Sequence, residues 1–169
     1  MGLSSSDVKW LFDKLSKFDF LSYHSEDELA RLVLSIKKSA VPAGTAILRQ
    51  GQKGPALYLI LHGTVTVWAE HPQGRKHLAE LSEGEYFGEV SILTGEICNA
   101  SVVAESEVEL FALLPDELRK EVKANPVLAE KMADAIARRS GVRALGLEPS
   151  PVSSTHLLDN IKSFLGLAA

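Results

Sequence analysis

Along the first forty positions the apolar residues recur with the spacing of a helix. Val8, Leu11, Phe12 and Leu15 fall on one face, and Ser6-Asp7 just upstream supplies capping side chains, which predicts a first helix. Ser25 followed three residues later by Glu28 is a capping box ahead of Leu29, Leu32, Val33 and Ile36, a second amphipathic helix. Phe18-Asp19-Phe20-Leu21 between them is a short apolar segment suited to packing the pair. From about Ser39 to Leu114 the period changes to that of strands. Ala56-Leu57-Tyr58-Leu59-Ile60-Leu61 is an apolar run, His62-Gly63 a turn, and Thr64-Val65-Thr66-Val67 alternates polar with apolar. The turn His71-Pro72-Gln73-Gly74 precedes a strand at Lys76–Leu81, and Val102–Ala104 and Val108–Leu113 supply two more. Short strands with glycine-rich turns predict a compact antiparallel β jelly-roll barrel, mostly β with flanking α.

Helix returns at Pro115-Asp116 and again at Asn125-Pro126, where an N-cap precedes a proline at the first helical position. The second of these carries Leu128, Met132, Ala135 and Ile136 on one face and ends near Gly141. Glu148-Pro149-Ser150-Pro151 then reads as a linker. A final stripe of Leu157, Leu158, Ile161, Phe164 and Leu165 needs a surface: its own barrel, a second copy of the chain, or an effector. The expected division is a helical segment at 1–38, a β-roll at 39–114, two helices at 115–145, and a linker with a tail helix at 146–169.

Composition narrows the function classes. In 169 residues, 46% hydrophobic and 24% charged content is that of a soluble globular protein. A formal net charge of −4, without a large Lys/Arg cluster, argues against nucleic acid and anionic membranes as partners. The single cysteine, Cys98, excludes an internal disulfide and fits a reducing compartment. The amino terminus lacks the basic stretch and apolar run of a signal peptide, and no apolar run approaches the ~20 residues of a membrane span. The expectation is a protein in the cytoplasm, or on the cytoplasmic face of a membrane protein. Enzyme chemistry finds no support. His24, His62, His71, His77 and His156 form no His-x-His pair for a metal, Glu89 has no second carboxylate at a useful spacing, and no phosphate-loop or nucleophile motif occurs. Neither an enzyme nor a metal site is expected.

The informative segment runs from Gly84 to Val102: Gly84-Glu85-Tyr86-Phe87-Gly88-Glu89-Val90-Ser91-Ile92-Leu93-Thr94-Gly95-Glu96-Ile97-Cys98-Asn99-Ala100-Ser101-Val102. It reads as a turn, a glycine where backbone is exposed, and one short helical turn from about Glu89, whose free N–H groups suit an anion. Left at that, a tight turn that binds nothing fits equally well.

This stretch resembles the phosphate-binding cassette of the cyclic-nucleotide-binding domain family, which includes catabolite-activator-type regulators, kinase regulatory subunits and cyclic-nucleotide-gated channels. Gly44, Ile47, Gly51, Tyr58-Leu59-Ile60, Gly63, Val65 and Val67 extend the likeness upstream, and it covers roughly residues 8 to 140. The resemblance implies a β-barrel with amino-terminal helices and a carboxy-terminal lid helix, here Pro126 to about Ser140, that moves on binding cAMP or cGMP. It implies a ligand site at Phe87, Gly88, Glu89, Val90, Cys98, Asn99, Ala100 and Ser101, with Gly88 and Glu89 on the ribose. The family's next element is an arginine on the cyclic phosphate, and this chain has Cys98 there. A phosphodiester is a permanent anion that guanidinium meets with a two-pronged donor fork; a thiol offers one weak donor. Truncating one partner of a desolvated charge pair costs ~2–5 kcal/mol, so cyclic-nucleotide binding is expected to be weak or altered. Lys53, Arg75 and Lys76 lie in loops from which a cation might be drawn, and Asn99 and Ser101 offer neutral donors. A lowered thiol pKa and redox sensing at Cys98 is the lesser reading, space-filling on a strand the greater.

The expected role is a sensor controlling a separate effector: a channel on the same longer chain, or a partner protein. The segment Leu157–Leu167 resembles the carboxy-terminal ends of bacterial mechanosensitive channels that bear this domain. A degenerate, non-binding assembly module is the alternative. A homo-oligomer through the lid or tail helix and another anion as a weak ligand complete the expected partners. Only Gly141–Ala169 follow the lid, too few residues for a helix-turn-helix, so no nucleic acid is expected.

Overall fold

The computed structural model describes residues 2–18, 21–131 and 133–134. They fall into two compact units, a β unit built chiefly from Ile36–Ile92 and Glu96–Pro115 and a helical unit built chiefly from Ser4–Ser35 and the chain from Asp116. The expectations for Asp19 and Phe20, for Met132, Ala135 and Ile136, for the helix end near Gly141, and for the linker and tail lie outside the described residues.

Eight strands make the β unit: β1 (Lys37–Val41), β2 (Ala46–Leu48), β3 (Leu57–His62), β4 (Val65–His71), β5 (Gly74–Leu81), β6 (Tyr86–Phe87), β7 (Ser101–Ala104) and β8 (Val108–Leu113). They pair antiparallel in two four-stranded sheets, β1-β8-β3-β6 and β2-β7-β4-β5. The jelly-roll expectation holds in this form. Alternation puts Leu48, Ile60, Val65, Leu81, Phe87, Val102, Ala104, Val108 and Leu110 in one buried cluster, and Cys98 is a member of it. The turn between β3 and β4 admits only glycine at 63: φ is +95°, and a Cβ would stand 2.4 Å from the Glu107 carbonyl oxygen.

Sequence patterning passed over β1, β2 and β6. Lys37-Lys38-Ser39-Ala40-Val41 shows no clean alternation because β1 is an edge strand, held by its register on β8 from Lys37↔Ala112 to Val41↔Val108. Its Lys38 ammonium lies 5.8 Å from the centre of the opposing Phe111 ring, so its stem covers apolar surface. Arg75, expected in a loop, belongs instead to β5 with Lys76, and the Arg75 guanidinium lies 4.3 Å from the centre of the Trp68 ring.

In the helical unit α1 spans Ser5–Leu15 and α2 Glu26–Ser35, and α4 (numbered after α3, Glu89–Thr94, which follows β6 and begins in the β unit) spans Pro115–Ala124. The cap of α1 is Ser4, not Ser6-Asp7. A reciprocal box needs a three-residue spacing, and Ser4 with Asp7 has it: the Ser4 N–H donates to Asp7 Oδ2 at 2.9 Å and the Asp7 N–H to Ser4 Oγ at 3.1 Å. The box at Ser25 and Glu28 forms as expected, at 2.7 and 3.2 Å. Leu11, Leu15, Leu29, Leu32, Val33, Leu118, Val122 and Leu128 are buried. A two-pronged ion pair ties α2 to α4: Arg31 Nε and Nη2 donate to the two carboxylate oxygens of Glu121 at 2.8 and 2.9 Å. A further helical stretch begins at 127, after Asn125 and Pro126.

Candidate functional site

The cassette begins on the sheet. β6 pairs with β3 in the register Tyr58↔Phe87 and Leu59↔Tyr86, which stacks the Tyr58 and Phe87 rings with their centres 5.3 Å apart. Phe87 is thereby a core residue, 3% exposed, and anchors the turn that follows. Gly88 has φ +89°, and a Cβ there would come within 2.6 Å of the Ala56 carbonyl oxygen. Two backbones cross at this point, and only glycine allows it.

The short α3 starts immediately afterwards and buries its first acid: Glu89 is 6% exposed. Ser91, two residues on, is a structural pin. Its Oγ accepts from the Gly54 N–H at 2.8 Å and donates to the Glu96 carbonyl at 2.7 Å. Gly54 leaves room for this pin, because a Cβ there would stand 2.8 Å from Ser91. The loop at 51–54 also grips the far end of the cassette. The Cys98 N–H donates to the Gln52 carbonyl and the Gly51 N–H to the Cys98 carbonyl, both at 2.8 Å, while Lys53 and Ile97 form an isolated antiparallel bridge.

Cys98 is therefore not a strand residue. It sits in a loop whose backbone is clamped on both sides, with its thiol turned into the β core against Leu48, Phe87 and Val102, at 8% exposure. Burial pushes the thiol pKa up, opposed in part by the neighbouring Ser91 hydroxyl. This corrects the redox reading, which requires a lowered pKa. Burial likewise raises the Tyr58 phenol, with the nearby Cys98 adding to it.

The other expected site residues divide. Asn99 is exposed, Ala100 is half-buried, and the side chain of Val90 lies outside the described ones. Ser101 belongs to β7, and its Oγ accepts from the Gln50 N–H at 3.0 Å. Lys53 is exposed and pairs with Ile97, itself 60% exposed; by the alternation of extended chain it shares the face opposite to Cys98. Sequence reading missed Gly54 and Ser91, whose only signal was a small residue at each of two positions far apart in the chain.

The two four-stranded sheets and the cassette define a β-roll, and comparison with known proteins names the class. The family model for the cyclic nucleotide-binding domain matches residues 38–125, more than half of the chain, which therefore belongs to that family. A cyclic AMP receptor protein of Thermus thermophilus is 38% identical over 99 residues, 58% of this chain and 46% of that protein. A cyclic nucleotide-gated potassium channel of Rhizobium etli is 33% identical over 115 residues, 67% of this chain and 31% of the channel. Among solved structures, the regulatory subunit of a cAMP-independent protein kinase A from Trypanosoma brucei superposes with a TM-score of 0.64 at 26% identity, covering 80% of this chain and 48% of that one. The match spans less than half the length of each of these relatives. Among the described residues no helix is long and apolar enough to cross a membrane.

Proposed function

We propose that this chain is a regulatory sensor that acts on a separate effector and binds cyclic nucleotides weakly because Cys98 stands at the phosphate end of its cassette. The observation that carries this reading is the combination at the site: Gly88 and Glu89 lie where β6 gives way to α3, Gly88 against the Ala56 backbone, while position 98 holds a buried, neutral thiol. Gly88, Glu89, Phe87 and Val90 form the ribose side of this reading, and Cys98, Asn99, Ala100 and Ser101 the phosphate side. The effector is a channel on a longer chain or a partner protein, at the cytoplasmic face, and the segment 115–145, expected from the sequence to form two helices, relays the signal. The relatives include a cyclic AMP receptor protein and a cyclic nucleotide-gated channel, which support the sensor role without fixing the effector.

A second reading, a non-binding assembly module, is favoured by the same burial of Cys98. Thermal melting separates the two. A ligand at its dissociation constant adds about 0.4 kcal/mol and at one hundred times that value about 2.7 kcal/mol. A sensor with weak affinity gives a small, saturable rise in Tm with millimolar cAMP or cGMP, and Cys98→Arg enlarges it. For that arginine to act, its side chain must leave the inward, buried position of the thiol, where a charge would be desolvated. A flat response from the unchanged protein and from a folded Cys98→Arg variant means the module reading is correct.

A further inference from the structure

We propose that His24 is a proton-operated latch between α2 and the chain after α4: uptake of one proton on its ring draws Glu28 away from Asn125 and loosens the start of the helical stretch at 127. The inference stands on the helical unit alone and is independent of any ligand at the cassette. His24 lies in the turn between α1 and α2, and its backbone N–H donates to the Leu21 carbonyl at 3.1 Å. The ring reaches the same carbonyl through Nδ1, at 3.2 Å. A carbonyl oxygen can only accept, so Nδ1 carries the proton of the neutral ring and Nε2 is left with a lone pair. Nε2 is shut off from solvent and has no hydrogen-bond partner among the described residues.

A neutral ring tolerates that position, and a protonated one does not. Its second N–H would be buried without an acceptor, on a charged group. Burial accordingly pushes the His24 pKa down, opposed by the Glu28 charge, the Leu21 carbonyl and the Glu121 charge. These two acids face the ring from α2 and α4, and both are engaged. Glu28 accepts from the Ser25 N–H at 2.7 Å and from the Asn125 side-chain amide at 3.4 Å. Glu121 holds the two-pronged Arg31 fork. From the stretch after Pro126, the Lys131 ammonium lies 4.6 Å from the centre of the Tyr23 ring, so its positive charge sits beside the same turn.

The longest of these contacts is the one a charged ring can take over. Asn125 holds Glu28 through a long hydrogen bond from a neutral donor, whereas an imidazolium offers the same carboxylate a charge-assisted one. The Ser25 N–H keeps Glu28 below the ordinary carboxylate range, so it is still an anion where histidine titrates. Asn125 in turn opens the next helical stretch: its carbonyl accepts from the Leu128 N–H at 3.0 Å, and the Pro126 carbonyl from the Ala129 N–H at 3.1 Å. With the histidine pKa depressed, the packed arrangement is fully favoured above the ordinary histidine range. It is lost as pH falls through that range, because the opened arrangement takes up a proton that the packed one refuses. Acid, not base, releases the latch.

An NMR titration of the whole chain between about pH 8 and about pH 5 tests this, following the His24 ring C–H and the Asn125 side-chain amide. His24 should titrate below the ordinary histidine range, and the Asn125 amide should shift with the same midpoint. Protection of the Leu128 and Ala129 amides from hydrogen exchange, corrected for its intrinsic pH dependence, should fall several-fold, with a ceiling of about ten-fold one pH unit below the ordinary histidine value. His24→Asn keeps a donor for the Leu21 carbonyl but takes up no proton, and it should abolish both responses. A His24 midpoint at or above the ordinary range, an Asn125 signal that ignores that midpoint, or the same responses in a folded His24→Asn variant overturns the latch. The first two of these are read on the unchanged protein, so they decide the matter even where the variant does not fold.

Discussion

At the scale of single residues, Cys98 decides the chemistry. Its position in the sequence marks it as a substitution for a cation, but its state follows from its neighbours. The thiol lies among Leu48, Phe87 and Val102, and burial holds it protonated above the ordinary thiol range. A thiol that is both covered and protonated is a poor nucleophile, so a disulfide-exchange reagent at pH 7.5 should label the native protein at least about ten-fold more slowly than the urea-unfolded chain. Equal rates would show the side chain to be open. The pH dependence has a definite sign. A pKa raised in the folded state contributes stability that is complete below the unfolded value and is lost as pH climbs through the folded one. Cys98 and Tyr58 are shifted in this same direction, so chemical denaturation should show stability falling on the alkaline side, beginning in the ordinary thiol range.

Among the elements, the link from α2 to α4 is the informative contact. Glu121 is 7% exposed while the Arg31 side chain is about half open to solvent. The two partners are therefore unequal. Removing the arginine leaves a buried carboxylate without its fork, whereas removing Glu121 leaves a cation that water can solvate. Arg31→Ala should lower stability modestly, because one partner is solvated, and Glu121→Gln should lower it less. Urea melts of the two variants check the order; a larger loss for Glu121→Gln would mean that the fork is not what stabilises the pair. The helices themselves were plain in the sequence, since period and capping boxes are local signals. Their pairing was not, because Arg31 and Glu121 are ninety residues apart.

For the whole molecule, the β unit carries a core of its own. Ile60, Val65 and Val108 are completely buried and Leu110 and Phe111 nearly so, without any ligand contributing to that core. Burying each such side chain is worth about 1.5–3 kcal/mol. The ligand-free protein should accordingly give a well-dispersed amide NMR spectrum from its strands and a cooperative melt. A collapsed spectrum that sharpens only on adding a cyclic nucleotide would show that the ligand completes the fold.

What the sequence by itself determined was everything that depends on local order: helical and strand periods, the capping box at Ser25, the turns at His62-Gly63 and His71–Gly74, and the spacing of Gly88, Glu89 and Cys98 that identifies the family. Edge strand β1 and the two-residue β6 escaped it, because their pairing with β8 and β3 fixes them and their own pattern does not. Only the tertiary structure decided which way position 98 faces. The clamp from residues 51 to 54 and the pin at Ser91 turn the thiol inward, and Lys53, near in sequence to the clamp, is carried to the opposite face. A charge balance at a site depends on which residues converge in space, and that is set by contacts between segments that the linear pattern does not encode.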